Sequence, residues 1–419
     1  MRDGMNMIRH ITTDIAILGA GVIGLAVAER LLAEGHRVVL VDPEAPGMGA
    51  SYGNAGTIAD YAVLPVGTPD VLKHLPSLLF DRNSPLAIRR AALPALMPWL
   101  ARFAAQSLPA PARRNAAAIA SLLFGAGDLW RGLAARIGAA DLLVPRGCLY
   151  VYDTAAGYRA AAKDMAYRRT LGVTVELLTP GDLSALEPGL PEVAGGAAYF
   201  PQAIFLADPG AMMARLAAHV TARAEHVVAR ASQLERHVDG VVVTGQGLHL
   251  HARKVIVAAG AHSGRLAASA GDRLPLDTER GYHVEWDMAV PRLTRPACHT
   301  GRGFYLCPMT GRLRAAGTVE LGGLTAPPSP HRIARLVEGA RLFYPDLGEP
   351  DREWMGFRPS MPDSLPVIGP SRGGAEVIHA FGHGHIGVTL APVTAELVAD
   401  FVAGRAPKRE AAAVSPGRF

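Results

Sequence analysis

The sequence is poor in cysteine and in aromatic residues. Three of its 419 residues are cysteines (Cys148, Cys298 and Cys307), and none belongs to a C-x-x-C pair. This spacing argues against a disulfide framework and a zinc site, and the histidines have no acidic or cysteine partner at ligand spacing, so we expect no metal ion. Aromatic residues make up 6% of the chain and hydrophobic residues 49%. The chain can therefore bury a large core, and its length predicts two domains.

The sequence also lacks a strong excess of charge. The formal net charge is +5, and there is no basic stripe of the kind that binds nucleic acid. Residues 1–13 contain no apolar segment long enough for a secretory signal. Together with the few cysteines, these features predict a cytoplasmic protein that has no nucleic-acid partner and suits anionic substrates or cofactors.

Long hydrophobic runs are absent as well, since none approaches the roughly 20 residues of a membrane-spanning helix. The nearest segment, residues 93–108, is interrupted by Pro98 and Arg102. We interpret it as an amphipathic helix buried in a helical subdomain. The alternative is a peripheral contact with the inner face of a membrane, for which Trp99 and Phe103 would serve as anchors.

The most informative stretch that is present is a glycine motif near the N-terminus. An apolar run over residues 15–18 predicts a buried strand, and Gly19, Gly21 and Gly24 follow it in the spacing G-x-G-x-x-G. A helical pattern begins at once and ends at Gly35. Such a strand, turn and helix offer free backbone N–H groups and partial positive charge to a dinucleotide pyrophosphate.

The segments after the motif extend this interpretation. Asp42 ends a second predicted strand, residues 37–41, where an acid can accept hydrogen bonds from the ribose hydroxyls of a dinucleotide. The motif alone does not distinguish NAD from FAD. A loop of small residues at 49–56 indicates that the backbone there passes close to a flat or bulky group.

Strands and helices recur later in the chain. Asp239-Gly240 predicts a hairpin inside a meander over about 227–251, and a separate apolar strand follows at 255–259. Residues 274–320 alternate as a sheet, and a final helix is predicted over about 388–402.

These pieces resemble, in their order, the D-amino-acid oxidase superfamily of FAD-dependent oxidoreductases, and most of all its bacterial D-amino-acid dehydrogenases. The resemblance covers about residues 14–404. Its most specific elements are the glycine motif with Asp42, the loop at 49–56, Val257-Ala258-Ala259-Gly260-Ala261, and Gly356-Phe357-Arg358-Pro359 with the closing glycine-rich loop and helix. The third element departs from the family's usual Ala-Thr-Gly by having alanine at position 259.

The resemblance implies an α/β fold, in which a Rossmann-like FAD-binding domain has a central mostly parallel sheet plus a β-meander, and an α+β substrate domain is inserted into it. The FAD-binding domain would be discontinuous, over residues 14–60, 200–265 and 355–404. The substrate domain would take residues 61–199 and 266–354. Residues 405–419, which are basic and rich in proline and alanine, are predicted to form a disordered tail.

The same resemblance implies how FAD is bound. Phosphates would lie at the glycine motif, ribose at Asp42, the flavin along the loop at 49–56, and adenine near Ala231. The loop before the final helix would bring a helix N-terminus to the flavin edge that becomes negative on reduction. The full predicted set is Gly19, Ala20, Gly21, Val22, Ile23, Gly24, Asp42, Gly49, Ala50, Ser51, Asn54, Ala55, Gly56, Ala231, Ala259, Gly260, Gly384, His385, Ile386, Gly387 and Thr389.

Oxidation of an amino acid needs a group that fixes the carboxylate while the α-hydrogen leaves as hydride. Arginine suits this task because it binds carboxylates in bidentate fashion. Arg358 is the first candidate, since the resemblance places it at the substrate carboxylate, and Arg280 is the second. Tyr282, His283 and His385 are further candidates for substrate contact. Structural ion pairs for the arginines and ordinary packing for the other three stay open as alternatives.

The chain is therefore expected to carry out FAD-dependent oxidative deamination of D-amino acids, with hydride transfer from the α-carbon to flavin N5 and electrons passed to a quinone or similar carrier. A secondary amino acid of the proline type, such as cis-4-hydroxy-D-proline, is a narrower possibility. Two alternatives stay open, namely an oxygen-using oxidase of the glycine or sarcosine type and a flavin-bound accessory protein without turnover.

Overall fold

The computed structural model describes residues 9–73, 84 and 86–419, and all statements about absent features refer to these residues. The strands are β1 (Arg9–Leu18), β2 (Val38–Asp42), β3 (Thr57–Ile58), β4 (Leu86–Ile88), β5 (Leu143–Val144), β6 (Cys148–Val151), β7 (Glu176–Leu178), β8 (Ala197–Phe200), β9 (Ile204–Leu206), β10 (Glu225–Val228), β11 (Ala231–His237), β12 (Gly240–Gly245), β13 (Leu248–Val257), β14 (Asp277–Asp287), β15 (Ala297–His299), β16 (Phe304–Met309), β17 (Arg312–Leu321), β18 (Arg352–Ser360), β19 (Val367–Ser371) and β20 (Gly374–Phe381). The helices are α1 (Val22–Ala33), α2 (Pro69–Lys73), α3 (Leu93–Gln106), α4 (Pro109–Leu123), α5 (Ala126–Arg136), α6 (Ala155–Thr170), α7 (Pro180–Leu186), α8 (Pro209–Thr221), α9 (Ser263–Ser269), α10 (Pro330–Phe343) and α11 (Gly387–Val402).

The first sheet is mostly parallel and carries the glycine motif. Strands β10, β2, β1, β13 and β20 are parallel neighbours in that order. Their central residues are apolar and buried on both faces, as is usual for parallel strands covered by other layers. Helices α1, α8 and α11 cover one face, and the other face packs against α9 and the meander. The predicted Rossmann-like arrangement is confirmed.

Strand β13 connects the parallel sheet to the meander. Its residues 248–252 pair with β12, which continues antiparallel to β11, whereas residues 255–257 pair in parallel with β20. The sequence predicts two separate strands here, but the structure has one strand of 10 residues. The strand does not break because β1 pairs with it over almost its full length and holds both halves in one line.

The second sheet is mixed and has the order β18-β14-β17-β16-β15-β6-β8-β7, with β4 beside β17. One face packs on α10 through an apolar cluster that contains Tyr282, Phe304 and Leu336. The opposite face carries polar side chains and contacts the loop at 49–56, where His283 meets the carbonyl of Gly53. A third small sheet, β3-β9-β5, lies at the connections between the larger two.

The predicted domain boundaries at residues 200 and 355 fall inside β8 and β18. Each strand is paired within the second sheet over its whole length. The helical segment assigned to the substrate domain also packs on the first sheet's helices. Trp130 of α5 donates a hydrogen bond of 2.8 Å to the carbonyl of Val388 in α11. The two predicted domains therefore share contacts beyond the strands at their boundaries.

One helical segment, Gly384–Val402, is long and apolar enough to cross a membrane by length and composition alone. However, 78% of its apolar window is buried inside the protein. Helices α1 and α5 pack against it. It is therefore a core helix in the helical layer that covers the first sheet.

The C-terminal residues differ from the prediction of a disordered tail. Val414 is 0% exposed and belongs to the main hydrophobic cluster. Arg418 forms a hydrogen-bonded ion pair of 2.7 Å with Asp363, and Arg409 donates to the carbonyl of Phe124. The prediction from composition was wrong because the buried side chain of Val414 and the two arginines are enough to hold the tail on the fold.

Replacing Val414 with alanine tests this packing. We expect Val414→Ala to destabilise the protein by about 2 kcal/mol, because a buried side chain leaves a cavity when it is shortened. The measurement is the melting temperature, which we expect to fall by a few degrees. The matched control is Val238→Ala, since Val238 is 109% exposed and its shortening removes no packing. Equal melting temperatures for the two variants would show that the tail does not contribute to the fold.

Candidate functional site

The glycine motif forms a turn in which two glycines have no room for a side chain. Gly19 has φ of 111°, and a Cβ atom there would lie 2.3 Å from the carbonyl oxygen of Ala258. A Cβ atom at Gly24 would lie 1.9 Å from the carbonyl oxygen of Gly19. Glycine is therefore required at both positions, so that β13 and α1 can approach the turn closely.

The N-terminus of α1 has the character of an anion site. Its N-cap is Gly21, which provides no side-chain cap, and residues 22–25 of the first turn include no acid. Ser51 accepts a hydrogen bond of 2.9 Å from the N–H of Val22, and Asp42 accepts one of 2.7 Å from the N–H of Ala20. The loop at 49–56 and the end of β2 are thus tied directly to the motif. This arrangement suits the pyrophosphate of a dinucleotide.

The loop at 49–56 is held in place by its own Asn54 side chain and by β9 of the third small sheet. Asn54 accepts a hydrogen bond of 2.8 Å from the N–H of Gly56, which has φ of 81°. The N–H of Leu206 donates to the carbonyl of Gly56 over 2.7 Å. Gly49 and Ala50 are exposed, whereas Ala55 is half-buried. The loop therefore presents backbone and small side chains next to the motif.

The remaining residues predicted near adenine and pyrophosphate also lie at the carboxyl ends of the parallel strands. Val228 at the end of β10 pairs with Asp42, and Ala231 begins the next strand. Ala259 and Gly260 follow the end of β13, where the N–H of Ala258 donates to the carbonyl of Leu18 over 2.8 Å. Ligands of open α/β sheets bind at this edge.

A second helix N-terminus is provided by the glycine-rich loop before α11. Gly384 has φ of 55°, and α11 begins at Gly387 with no side-chain cap and no acid in its first turn. Ile386 is buried. Thr389 accepts a hydrogen bond of 2.9 Å from the N–H of Ala59, so its hydroxyl anchors the chain that follows the 49–56 loop.

The two predicted arginines lie on opposite faces of the second sheet. Arg358 is the cross-strand partner of Glu279, so both face the loop at 49–56. Arg280 is 0% exposed on the other face, where it binds Glu320 over 3.0 Å and the carbonyl of Pro327 over 3.0 Å. Arg280 is thus a structural residue, and its prediction as a substrate ligand is corrected. Adjacent strand positions point in opposite directions, which separates the two arginines.

Arg358 places a positive charge on the face that meets the 49–56 loop. Its guanidinium lies over Gly281, where a Cβ atom would be 2.6 Å from Nη2, and it is only half-buried. Among the described residues no side chain or carbonyl accepts a hydrogen bond from it. Burial lowers the pKa of Arg358, and the carboxylate of Glu279 opposes that shift. Burial raises the pKa of Glu279, while Arg358 and the Ser360 hydroxyl oppose the increase.

Tyr282 and His283 are likewise separated by the alternation of β14. Tyr282 is 1% exposed on the α10 side, donates to Glu320 over 2.5 Å and accepts from the N–H of Ser329, so its predicted substrate contact is corrected. His283 lies on the site face and its Nδ1 donates to the carbonyl of Gly53 over 3.0 Å. Burial and the charge of Arg314 lower the pKa of His283 to about 4.

The two histidines of the glycine-rich loop have different surroundings. Desolvation, followed by the charge of Arg358, lowers the pKa of His385 to about 4. His383 is 2% exposed, forms a hydrogen bond of 2.9 Å with Thr394, and its pKa is lowered to about 3 by burial. His385 therefore remains near the site as an uncharged group at neutral pH, whereas His383 is a packing residue.

Sequence reasoning missed the ion cluster that supports this face. Glu285 is 4% exposed as a side chain and binds Arg314, Arg312 and Arg352. Although burial would raise its pKa, the three arginines lower it to about 2. Arg314 also donates to the carbonyl of Asn54. The alternation of charged residues on β14 and β17 was the available signal, but the sequence does not show that these strands are neighbours.

Within the described part of the chain, the histidines, cysteines and acids do not assemble into a metal site. No group of three or more of these residues at ligand geometry occurs among the described residues. Cys148, Cys298 and Cys307 are all buried and free.

Comparisons with known proteins agree with this geometry. Residues 14–401 match the family described as "DAO: FAD dependent oxidoreductase". The chain is 36% identical to a D-amino-acid oxidase of Bradyrhizobium diazoefficiens, over 97% of this chain and 98% of that protein. It is 31% identical to D-amino acid dehydrogenase 2 of Ralstonia nicotianae, over 95% and 98%. The crystal structure of glycine oxidase from Geobacillus kaustophilus superposes with a TM-score of 0.78 at 26% identity, covering 98% of this chain and 99% of that one.

Three findings lead to the same family: the turn that admits only glycine, the two helix N-termini without an N-cap side chain at one sheet edge, and the match along nearly the whole chain. The chain belongs to the D-amino-acid oxidase family of FAD-dependent oxidoreductases.

Proposed function

We propose that this protein oxidises D-amino acids to imino acids by removing the α-hydrogen as hydride, to flavin N5, and that the imino acids then hydrolyse to keto acids. The observation that carries the proposal is Arg358, a cation without a hydrogen-bond partner among the described residues, on the sheet face that meets the 49–56 loop. A partly desolvated guanidinium without a hydrogen-bond partner suits a carboxylate ligand. The relatives that are named D-amino-acid oxidase or dehydrogenase support the substrate class.

The cofactor would be held by backbone groups at the edge of the first sheet. The N–H groups at the start of α1 suit the pyrophosphate, Asp42 suits the ribose, and the start of α11 suits the electron-rich edge of the ring system. FAD, when bound, supplies the acceptor for the hydride. The protein contributes orientation and electrostatic stabilisation.

The residues near Arg358 would bind the substrate without acting as strong bases. His283 and His385 both have a pKa of about 4, so they are uncharged near neutral pH. Uncharged imidazoles do not repel the amino group, and they are too weakly basic to deprotonate an ammonium group efficiently. We infer that the substrate amine loses its proton to solvent before oxidation and that Arg358 fixes the carboxylate.

The proposal also covers the electron acceptor and the type of substrate side chain. We favour a quinone or similar carrier because several relatives of comparable coverage are named dehydrogenase. Oxygen is the alternative because another such relative is named oxidase. A proline-type secondary amino acid would fit a site whose histidines are uncharged. A flavin-bound accessory role without turnover is the alternative from another class.

An anaerobic reduction panel tests the activity. We expect D-amino acids or D-imino acids to bleach the flavin of the holoenzyme while their L-enantiomers do not. The reason is that, with the carboxylate fixed by one arginine, only one enantiomer directs its α-hydrogen toward the flavin. Stopped-flow mixing of the reduced enzyme with air or with a soluble quinone then identifies the acceptor. Rapid reoxidation by air would favour the oxidase. If no member of the panel bleached the flavin, the proposed activity would be falsified.

Substitution of Arg358 tests the carboxylate anchor. We expect Arg358→Ala to keep bound FAD and to raise KM roughly 10- to 100-fold, because a charge-assisted hydrogen-bonded pair contributes about 1.5–3 kcal/mol. Arg358→Lys should raise KM less than Arg358→Ala does, because lysine keeps the positive charge. Since the alanine variant leaves Glu279 buried without its cation, Arg358→Ala combined with Glu279→Gln separates substrate binding from that penalty. Arg253→Ala, at an exposed arginine, is the control, and an unchanged KM in Arg358→Ala would remove Arg358 from the site.

We also propose that α3 brings the protein to the inner face of an anionic membrane. Trp99 and Phe103, the predicted anchors, are 6% and 5% exposed and pack with Leu96 and Leu321, so they are unsuited to this role. The outward face instead presents Met97. A helix with apolar side chains on its outward face as well as its buried face is typical of one that contacts a second apolar surface.

Charge supports a lipid surface as that contact. Residues 86–127 contain no aspartate or glutamate, whereas Arg90, Arg102 and Arg113 are exposed there. Basic, apolar helical surfaces bind anionic lipid headgroups through combined burial and attraction. Leu108, which is 51% exposed, follows α3 directly.

Vesicle flotation tests the membrane contact. We expect the protein to float with phosphatidylcholine vesicles that contain phosphatidylglycerol and not with phosphatidylcholine alone. The double substitution Met97→Glu and Leu108→Glu should abolish flotation and keep turnover with a soluble dye. Val290→Glu, at another exposed apolar residue, is the matched control. Flotation that persists in the double variant would contradict the assignment of this surface.

A further inference from the structure

Strand β18 presents three residues to the site in a row. Trp354, Gly356 and Arg358 alternate along the strand and therefore share the face that meets the 49–56 loop. Their cross-strand partners on β14 are, in the same order, His283, Gly281 and Glu279. The row thus consists of an aromatic pair, a glycine pair and a charged pair.

The glycine pair is covered from both sides by the large side chains. A Cβ atom at Gly356 would lie 2.0 Å from Cη2 of Trp354, and one at Gly281 would lie 2.6 Å from Nη2 of Arg358. The indole and the guanidinium therefore lie close to the sheet surface and converge above the same pair of residues. A ligand whose carboxylate is bound by Arg358 has its α-substituents within reach of the indole.

The indole is held rigidly. Its ring stacks on His283 with a centroid distance of 5.0 Å and an interplanar angle of 14°. His283 is itself fixed by the carbonyl of Gly53, and a Cβ atom at Gly53 would lie 2.4 Å from Cδ2 of Trp354. Trp354 as a whole residue is nevertheless only half-buried. It thus lies between the loop that suits the cofactor and the arginine that suits the substrate.

We propose that Trp354 is a specificity-determining residue, whose indole forms the wall against which the substrate's side chain packs beside Arg358. The wall favours an apolar, ring-shaped side chain such as a pyrrolidine over a methyl group or a carboxylate. This inference rests on the proposed binding of an amino-acid carboxylate by Arg358.

Two physical effects give this preference. A five-membered ring buries more apolar surface against the indole than a methyl group does. The face of an aromatic ring is negative in potential, so it attracts C–H groups next to a ring nitrogen and disfavours a second carboxylate. Trp354 therefore discriminates between substrate side chains and does not change how the α-carboxylate is bound.

Equilibrium binding to the holoenzyme tests the wall without requiring turnover. Cyclopentanecarboxylate and acetate share the carboxylate and differ in the ring, and each is titrated against the absorbance of bound FAD. We expect the wild-type protein to bind the ring compound about tenfold or more tightly than acetate. Trp354→Ala should lose most of this ratio with little change for acetate, whereas Trp354→Phe should keep most of it.

A second variant, Gly356→Ala, tests the position of the indole without removing it. Gly356→Ala places a methyl group where the indole lies, so it should displace Trp354 and reduce the ratio although the tryptophan is still present. Trp99→Phe, in the separate cluster of α3, is the control for general loss of packing and should leave the ratio unchanged. A wild-type protein without ring preference, or a preference retained in Trp354→Ala, would overturn the proposal.

The outcome is distinguishable from failure of the proposed activity. Neither test compound has an amino group, so their binding ratio is measured even if no D-amino acid reduces the flavin. Where reduction does occur, the ratio of reduction efficiencies for D-proline and D-alanine should fall in Trp354→Ala by the same factor as the binding ratio. Equal losses for both substrates would assign Trp354 a structural role and overturn its role in specificity.

Discussion

The close approach of β1, β13 and α1 at Gly19 is the constraint on which the rest of the structure depends. The backbone of Gly19 lies against the carbonyl of Ala258, and Gly24 lies against the carbonyl of Gly19. No side chain fits at either position, so a strand from the middle of the chain can pair with the N-terminal strand directly below the turn. Every group suited to the cofactor is positioned relative to this contact.

The second sheet depends on the first through a few polar contacts. Arg314 joins buried Glu285 to the carbonyl of Asn54, and His283 holds the carbonyl of Gly53. A buried ion cluster contributes little net stability, but removal of one partner leaves an uncompensated charge, so the geometry is strongly enforced. The loop that suits the cofactor and the face that suits the substrate are therefore held in one register.

The sidedness of β14 and β18 decides which residues can meet a substrate. Arg280 and Tyr282 face α10 and satisfy Glu320, whereas Arg358 and His283 face the site. All four are charged or polar, so composition and motif alone do not show which of them face the site. Arg280 and Tyr282 are kept from the site because they lie on the face of the sheet that α10 covers.

Much of the first sheet could be predicted from local patterns. The glycine spacing, the apolar strands and the small residues after β13 report short-range geometry, since a turn that admits only glycine is specified by residues next to each other. The continuity of β13 was missed because β1 pairs along almost its whole length, and that partner lies far away in the sequence. The ordered tail was missed for a similar reason, since Val414 finds its buried place only in the assembled core.

The sequence by itself determined the dinucleotide-binding edge, the family and Arg358 as the carboxylate candidate. These features depend on residue type and spacing within short segments. Only the tertiary structure decided that Arg280 and Tyr282 are structural, that Trp354 lies beside Arg358 above a glycine pair, and that Trp99 is buried. The reason is that burial and facing are set by distant strands and helices, whose contacts no local pattern records.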